Sequence, residues 1–182
     1  RAALHPDGEL VRSREIWACL SCASCSARCP ADIDFPEIIN YHRQEARRAD
    51  NLPQESHHGI FQTIAALQTR DIKQQRNGWA EKAGRFHDTG EYFYFVGCLP
   101  FFDITFRYLN LSPLDTGRSV LALLNKMGIE PVISNNERCC GHDALWCGDH
   151  ATFRKLARLN LEVIQSSGAK TVLSAARRDI SP

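Results

Sequence analysis

The sequence lacks a long apolar run. The greasiest stretch, Tyr92 to Phe102, covers eleven residues and is broken by Gly97, Cys98 and Pro100. A spanning helix needs about 20 apolar residues, so no transmembrane segment is expected in this chain. It also lacks a charge surplus: 22 basic against 21 acidic side chains leave +1, which excludes a general nucleic-acid footprint. No G-x-G-x-x-G run occurs, so a nucleotide or flavin site within the chain has no support. There is no secretory signal and no initiator methionine before Arg1, and the chain is read as a piece of something longer. Cysteine is too sparse for a disulfide-stapled scaffold, at eight in 182 residues, yet four of the eight fall between Cys19 and Cys29. With 43% apolar residues the chain supports a core of one medium or two small domains.

Local patterning divides the chain. A turn at His5-Pro6-Asp7-Gly8 and a short helical stretch over Ser13–Ala18 lead into the cysteines. Asp34 is placed to cap a helix with Pro36 in its first turn, apolar Ile38 and Ile39 on one face and a basic end at Arg47 and Arg48. With Arg43, these arginines read as a short solvated face, the alternative reading being a dock for an acidic electron donor. A second helix is expected across Gln54–Thr69, and the polar residues 71–90, with Gly78, Gly84 and Gly90, read as a linker. After Gly90 the pattern alternates. Strands are expected at Tyr92–Val96, Pro131–Ser134 and Thr171–Leu173. Between them come a helix capped by Thr116 or Ser119 and stopped at Gly128, and another capped by Asp149 and stopped at Gly168. Strand, helix, strand, helix, strand implies a parallel sheet covered by helices.

Cys19, Cys22, Cys25 and Cys29, followed by Pro30, spell C-x2-C-x2-C-x3-C-P, the spacing with which bacterial-type ferredoxins hold [4Fe–4S] clusters. Two-residue gaps bring three thiolates from one tight loop to three corners of a cubane, and the fourth serves another cluster in two-cluster proteins. Zinc ligands usually come as two separated pairs, which disfavours zinc for a continuous run. A second constellation joins Cys98, just past the first strand, to Cys139 and Cys140, past the second. In a parallel sheet both positions emerge at the carboxyl edge, where open α/β folds place ligands. Adjacent cysteines do not readily bridge each other, so thiolates aimed at a metal cluster explain the pair better than a disulfide. Gly141 admits a close backbone approach to a bulky ligand. His142, as an imidazole, is a candidate for moving a proton or donating to a cluster sulfur; Cys147 is a candidate fourth ligand. His57-His58 reads as ordinary surface histidine.

The cysteine run with its lead-in Glu15-Ile16-Trp17-Ala18, then Phe95-Val96-Gly97-Cys98, then Cys139-Cys140-Gly141-His142-Asp143, resembles the fused iron–sulfur subunits of heterodisulfide reductase and its relatives. Among those are sulfite-reductase-associated complexes and an iron–sulfur subunit of glycerol-3-phosphate dehydrogenase. The resemblance implies an α+β chain: a helical ferredoxin-type module over residues 1–70, a linker over 71–90, and an α/β parallel-sheet CCG domain over 91–182. It implies one or two [4Fe–4S] clusters on Cys19, Cys22, Cys25 and Cys29, with Cys98, Cys139, Cys140 and His142 at a catalytic, noncubane [4Fe–4S] site. The implied partners are a flavin-containing or membrane quinone-reactive subunit and a thiol or disulfide substrate, in the cytoplasm or peripheral to the membrane through those subunits. The chain departs from the family pattern in three places. Ala175 and Arg178 stand where a closing C-x-x-C is expected, a second CCG repeat is missing, and so is an upstream cysteine run; a truncated sequence accounts for all three. A pure electron conduit and a structural zinc module are the alternative readings.

Overall fold

The computed structural model describes residues 8–54 and 58–175. The residues before Gly8, His57, and Arg177 and Arg178 lie outside the described residues. In chain order the helices are α1 (Glu9–Arg12), α2 (Glu15–Ala18), α3 (Phe35–Arg48), α4 (Ile60–Gln68), α5 (Leu99–Thr105), α6 (Leu114–Lys126), α7 (His142–Trp146) and α8 (His150–Ser166). Strand β1 (Tyr92–Phe95) follows α4, and β2 (Thr171–Ser174) follows α8. The chain divides into two compact units, residues 1–67 with 141–154 and residues 68–140 with 155–182. It is helix-rich with a small parallel sheet, an α+β chain.

In the first unit, α3 begins as its sequence dictates. The Asp34 carboxylate accepts the Glu37 N–H at 3.1 Å and Pro36 sits in the first turn, where its missing N–H is harmless. Val11, Ile16 and Ala46 form a small core against which Leu10 and Trp17 pack. The Asn51 side chain donates to the carbonyls of Val11 and Ser13 at 2.8 and 3.0 Å, which fastens the α1–α2 corner to the chain leaving α3. Ser26 Oγ accepts the Phe35 N–H at 2.9 Å and ties the cysteine loop to the start of α3. Gly148, just past α7, has φ +73, and a Cβ there would lie 2.6 Å from the Arg43 carbonyl carbon and oxygen. Only glycine lets that segment rest on the α3 backbone.

The second unit is built on β1. Tyr92 to Phe95 pair in parallel with Thr171 to Ser174. On the other edge of β1 the expected strand Pro131–Ser134 shrinks to a bridge at Val132: Val132 N–H donates to Tyr92 O at 2.7 Å and Tyr94 N–H to Val132 O at 2.9 Å. Pro131 has no N–H to extend the ladder, and the Ser134 hydroxyl accepts from Asn136 N–H at 3.1 Å, turning the chain away. Helix α6 starts ahead of the expected caps Thr116 and Ser119, because Asp103 of α5 accepts the Leu114 N–H at 3.3 Å. It stops at Gly128, φ +78, with Ile129 N–H closing on Leu124 O at 2.9 Å. One face of β1 packs Tyr94 and Val96 with Ala80, Leu121, Leu124 and Ile133; the other packs Phe93 and Phe95 with Val132, Val163 and Ile164. Residues 71–90, polar by composition, bring Trp79 and Ala80 into this core, and Asn125 of α6 holds both the N–H and the carbonyl of Arg85.

Candidate metal centres

The cysteine loop lies in the first unit, between α2 and α3. Ser21 and Ala23 adopt left-handed φ values of 49° and 59°, so the backbone reverses twice in three residues. Past them Ala27 N–H donates to Ala23 O and Cys29 N–H to Ser26 O, both at 3.0 Å, winding a tight turn that carries Cys25 and Cys29. The Ser21 N–H points at Cys19 Sγ, 3.4 Å away. Ser24 Oγ, 3.3 Å from Cys22 Sγ, and then the Ser24 backbone hold the Cys22 thiol below its ordinary pKa, toward the thiolate that ligates metals. Cys22 and Cys25 are exposed, Cys19 and Cys29 half-buried. Among the described residues no three His, Cys, Asp or Glu side chains converge on one point. Four soft donors on a reversed loop with N–H groups turned to sulfur nevertheless match an iron–sulfur group in donor chemistry, and exposed thiols rotate at small cost.

Arg43 is not the solvated face expected of it. It is only 6% exposed, because α3 turns it inward beneath the loop. Its Nε donates to Ile16 O at 3.1 Å, Nη2 to Cys19 O at 2.6 Å, and Nη1 to Trp146 O at 3.0 Å and Ser21 Oγ at 3.4 Å, with the Trp17 ring 5.5 Å from the guanidinium carbon. Cys147 belongs to this unit as well. Gln62 Nε2 lies 3.7 Å from its sulfur, and it borders a cavity of about 280 Å³ with Trp17, Arg43 and Asp143. His142 opens α7, edge-on to Trp146 at 6.2 Å.

In the second unit, Cys98 Sγ and Cys139 Sγ stand 3.0 Å apart, about 1 Å longer than a disulfide, and none of the eight cysteines is bridged. Cys139 is 6% exposed and Cys98 half-buried. Cys140 packs instead against the Phe93–Phe95–Val132 cluster, since neighbouring side chains on extended backbone leave on opposite sides. Gly141, φ +80, follows at once. Ala175 carries no donor atom and packs against the Tyr94 cluster.

Four residues that the spacing of the cysteines did not reveal hold this pair. The Glu137 carboxylate accepts the N–H groups of Val96 at 3.1 Å and Gly97 at 2.5 Å, directly before Cys98, while sitting two residues before Cys139. Arg76 pairs with Glu137 at 3.4 Å, both nearly buried, and donates to Gly97 O. Gln68 Oε1 accepts the Cys139 N–H at 2.8 Å and an Arg76 N–H at 2.9 Å. Asn160 of α8 donates to Cys139 O at 3.0 Å and accepts Arg138 N–H at 2.7 Å. A charged pair, Glu137-Arg138, between an apolar strand and two cysteines was the available signal; Gln68 and Arg76 gave none. Burial of Tyr94, and then the nearby Glu137 charge, push its phenol up to about 12.

Residues 92–178 match the family of cysteine-rich domains known as CCG. That match covers a little under half of the chain. Across nearly its whole length the chain is homologous to iron–sulfur proteins. It is 28% identical over 168 residues to a subunit of the dihydromethanophenazine:CoB–CoM heterodisulfide reductase of Methanosarcina barkeri, covering 88% of this chain and 39% of that one. It is 23% identical over 185 residues to an uncharacterized iron–sulfur protein of Methanococcus maripaludis, covering 96% and 35%. A probable iron–sulfur-binding oxidoreductase of Bacillus subtilis is 20% identical, covering 92% and 25%. The chain thus spans about a quarter to two fifths of these relatives. No solved structure matches it. A CCG domain and iron–sulfur relatives support iron–sulfur cluster binding and an oxidoreductase-related role. Among the described residues no helix is long and apolar enough to cross a membrane.

Proposed function

We propose that this chain is an iron–sulfur electron-transfer subunit of a heterodisulfide-reductase-like oxidoreductase. Cys19, Cys22, Cys25 and Cys29 ligate a [4Fe–4S] cluster in a ferredoxin-type module, and Cys98 and Cys139 serve a noncubane cluster of the CCG domain, whereas Cys140 is packed against the Phe93 cluster. A flavin-containing or quinone-reactive partner subunit supplies the electrons. The observation that carries this reading is the 3.0 Å approach of Cys98 and Cys139 across 41 residues of chain without a disulfide, held by Glu137, Gln68 and Asn160. Buried polar side chains are spent here on backbone groups of the two cysteine-bearing segments, which fixes both sulfurs before any ligand arrives.

Reducing a disulfide to two thiols takes two electrons and two protons. Bound clusters supply electrons singly and offer iron to a substrate sulfur. The chain's part is to present soft thiolates at one point, Cys98 half-buried and Cys139 buried. Ala175, with no donor, supports a second reading in which the chain only conducts electrons to another subunit.

Anaerobic purification followed by iron and sulfide analysis tests the proposal. Brown protein with broad visible absorption and iron matched by sulfide is expected; colourless protein containing zinc overturns it. Electron paramagnetic resonance then separates the readings. A spectrum altered by added thiol under oxidising conditions supports substrate binding in this chain, whereas an unaltered one favours conduction alone.

A further inference from the structure

Three of the arginines near or among these sites pair with carboxylates: Arg47 with Asp149, Arg48 with Glu45 and Arg76 with Glu137. Arg43 differs. It is 6% exposed, yet all four hydrogen bonds it makes go to neutral oxygens, three of them backbone carbonyls. Among the described residues it pairs with no carboxylate. Taking a guanidinium out of water toward neutral acceptors is costly unless a negative group completes the pairing. Its planar fork spans both sides of the cysteine loop's entry, gripping Ile16 and Cys19 where α2 ends and Ser21 where the backbone first reverses. A lysine carries the same charge but cannot hold so many acceptors in fixed directions.

We propose that Arg43 is a positioning residue for the cysteine loop and the positive counter-charge of the cluster that loop holds, biasing that cluster toward its reduced state. This rests on the reading of Cys19, Cys22, Cys25 and Cys29 as ligands. Thiolates give the site negative charge, reduction adds one more, and a fixed cation in a partly dry environment stabilises the added charge. The same residue clamps the backbone at the start of the loop, whose path decides whether the thiols meet.

The test uses the full chain, loaded anaerobically with iron and sulfide, in redox titrations followed by electron paramagnetic resonance; the relevant signal is the one Cys22→Ser abolishes. Arg43→Gln is expected to move its midpoint negative by a tenfold change in the oxidised-to-reduced ratio, about 59 mV for one electron. Arg43→Lys keeps the charge and loses the fork, so its midpoint stays at the wild-type value while iron loss to a chelator quickens several-fold. A wild-type midpoint in Arg43→Gln overturns the counter-charge role, and a wild-type chelation rate in Arg43→Lys overturns the positioning role. Where the glutamine variant does not fold, the lysine variant decides alone: a negative midpoint shift there overturns the counter-charge role. A wild-type chain that takes up no iron overturns the cluster reading and this inference with it, whereas a loaded wild type with insensitive variants overturns only the inference.

Discussion

Two buried polar side chains in the second unit act with opposite sign. Glu137 is nearly inaccessible and accepts hydrogen bonds from Val96, Gly97 and Arg76. Replacing it with alanine strands the Arg76 charge and two N–H groups, so Glu137→Ala is expected to cost roughly 3–5 kcal/mol in denaturant unfolding. It should also release the contact between Cys98 and Cys139, since the carboxylate braces the segments bearing both. Tyr94 is the reverse. Its ring is fully buried in the core while its hydroxyl has no partner among the described residues, so the oxygen is desolvated without return. Tyr94→Phe should therefore stabilise the chain by about 1 kcal/mol. Its pH signature follows from the raised phenol. A group whose folded pKa lies above its unfolded value of about 10 adds stability that is intact below that pH and is lost as pH rises through about 12. The phenylalanine variant should lack this part of the alkaline loss, and a variant that unfolds with the wild-type pH profile would refute the assignment.

Elements in this chain are started and stopped by local chemistry and then seated by tertiary contact. Asp34→Ala should remove the cap of α3 at a cost of about 1 kcal/mol, read by thermal unfolding. Gly148 tests the seating. With φ +73 and the Arg43 backbone 2.6 Å from where a Cβ would stand, Gly148→Ala combines backbone strain with overpacking, on the order of 2–4 kcal/mol. A near-neutral result would mean that the segment after α7 does not rest on α3. Start and stop signals were legible wherever one residue suffices: Asp34, Gly128 and Gly168 each sit at the expected boundary. They were illegible where the cap comes from another element, as when Asp103 of α5 takes the first N–H of α6. The second strand misled for a related reason. Pro131-Val132-Ile133 has the composition of a strand, but the ladder needs N–H groups that Pro131 lacks and a straight path that the Ser134 turn denies.

At the scale of the molecule, the two cysteine sets lie in different compact units. Serine at Cys22 and serine at Cys98 are each expected to remove a separate share of the iron, with the doubly substituted chain losing the sum, as for sites that do not share partners. Elemental analysis of the three variants checks this; a doubly substituted chain that loses no more iron than either single variant would mean one shared cluster. The unit that carries Cys98 and Cys139 also depends on residues with no chemical signature. Trp79 and Ala80 come from a stretch whose composition is that of a linker, and Gln68 and Arg76 from sequence that carries no motif.

By itself the sequence determined which soft side chains are available as donors and how they are spaced: C-x2-C-x2-C-x3-C-P and the Cys139-Cys140-Gly141 triplet are short-range patterns, and a thiolate's affinity for iron is a property of the side chain. It also pointed to a buried strand in the uncharged run Tyr92–Val96, of which Tyr92–Phe95 forms β1. Only the tertiary structure decided that Cys98 meets Cys139 while Cys140 turns to the apolar cluster, that Arg43 is buried beneath the loop, and that Glu137 braces two cysteine segments. Those outcomes depend on which backbone groups are left needing a partner once the chain has closed, and that need arises between residues far apart in the chain, where no local pattern records it.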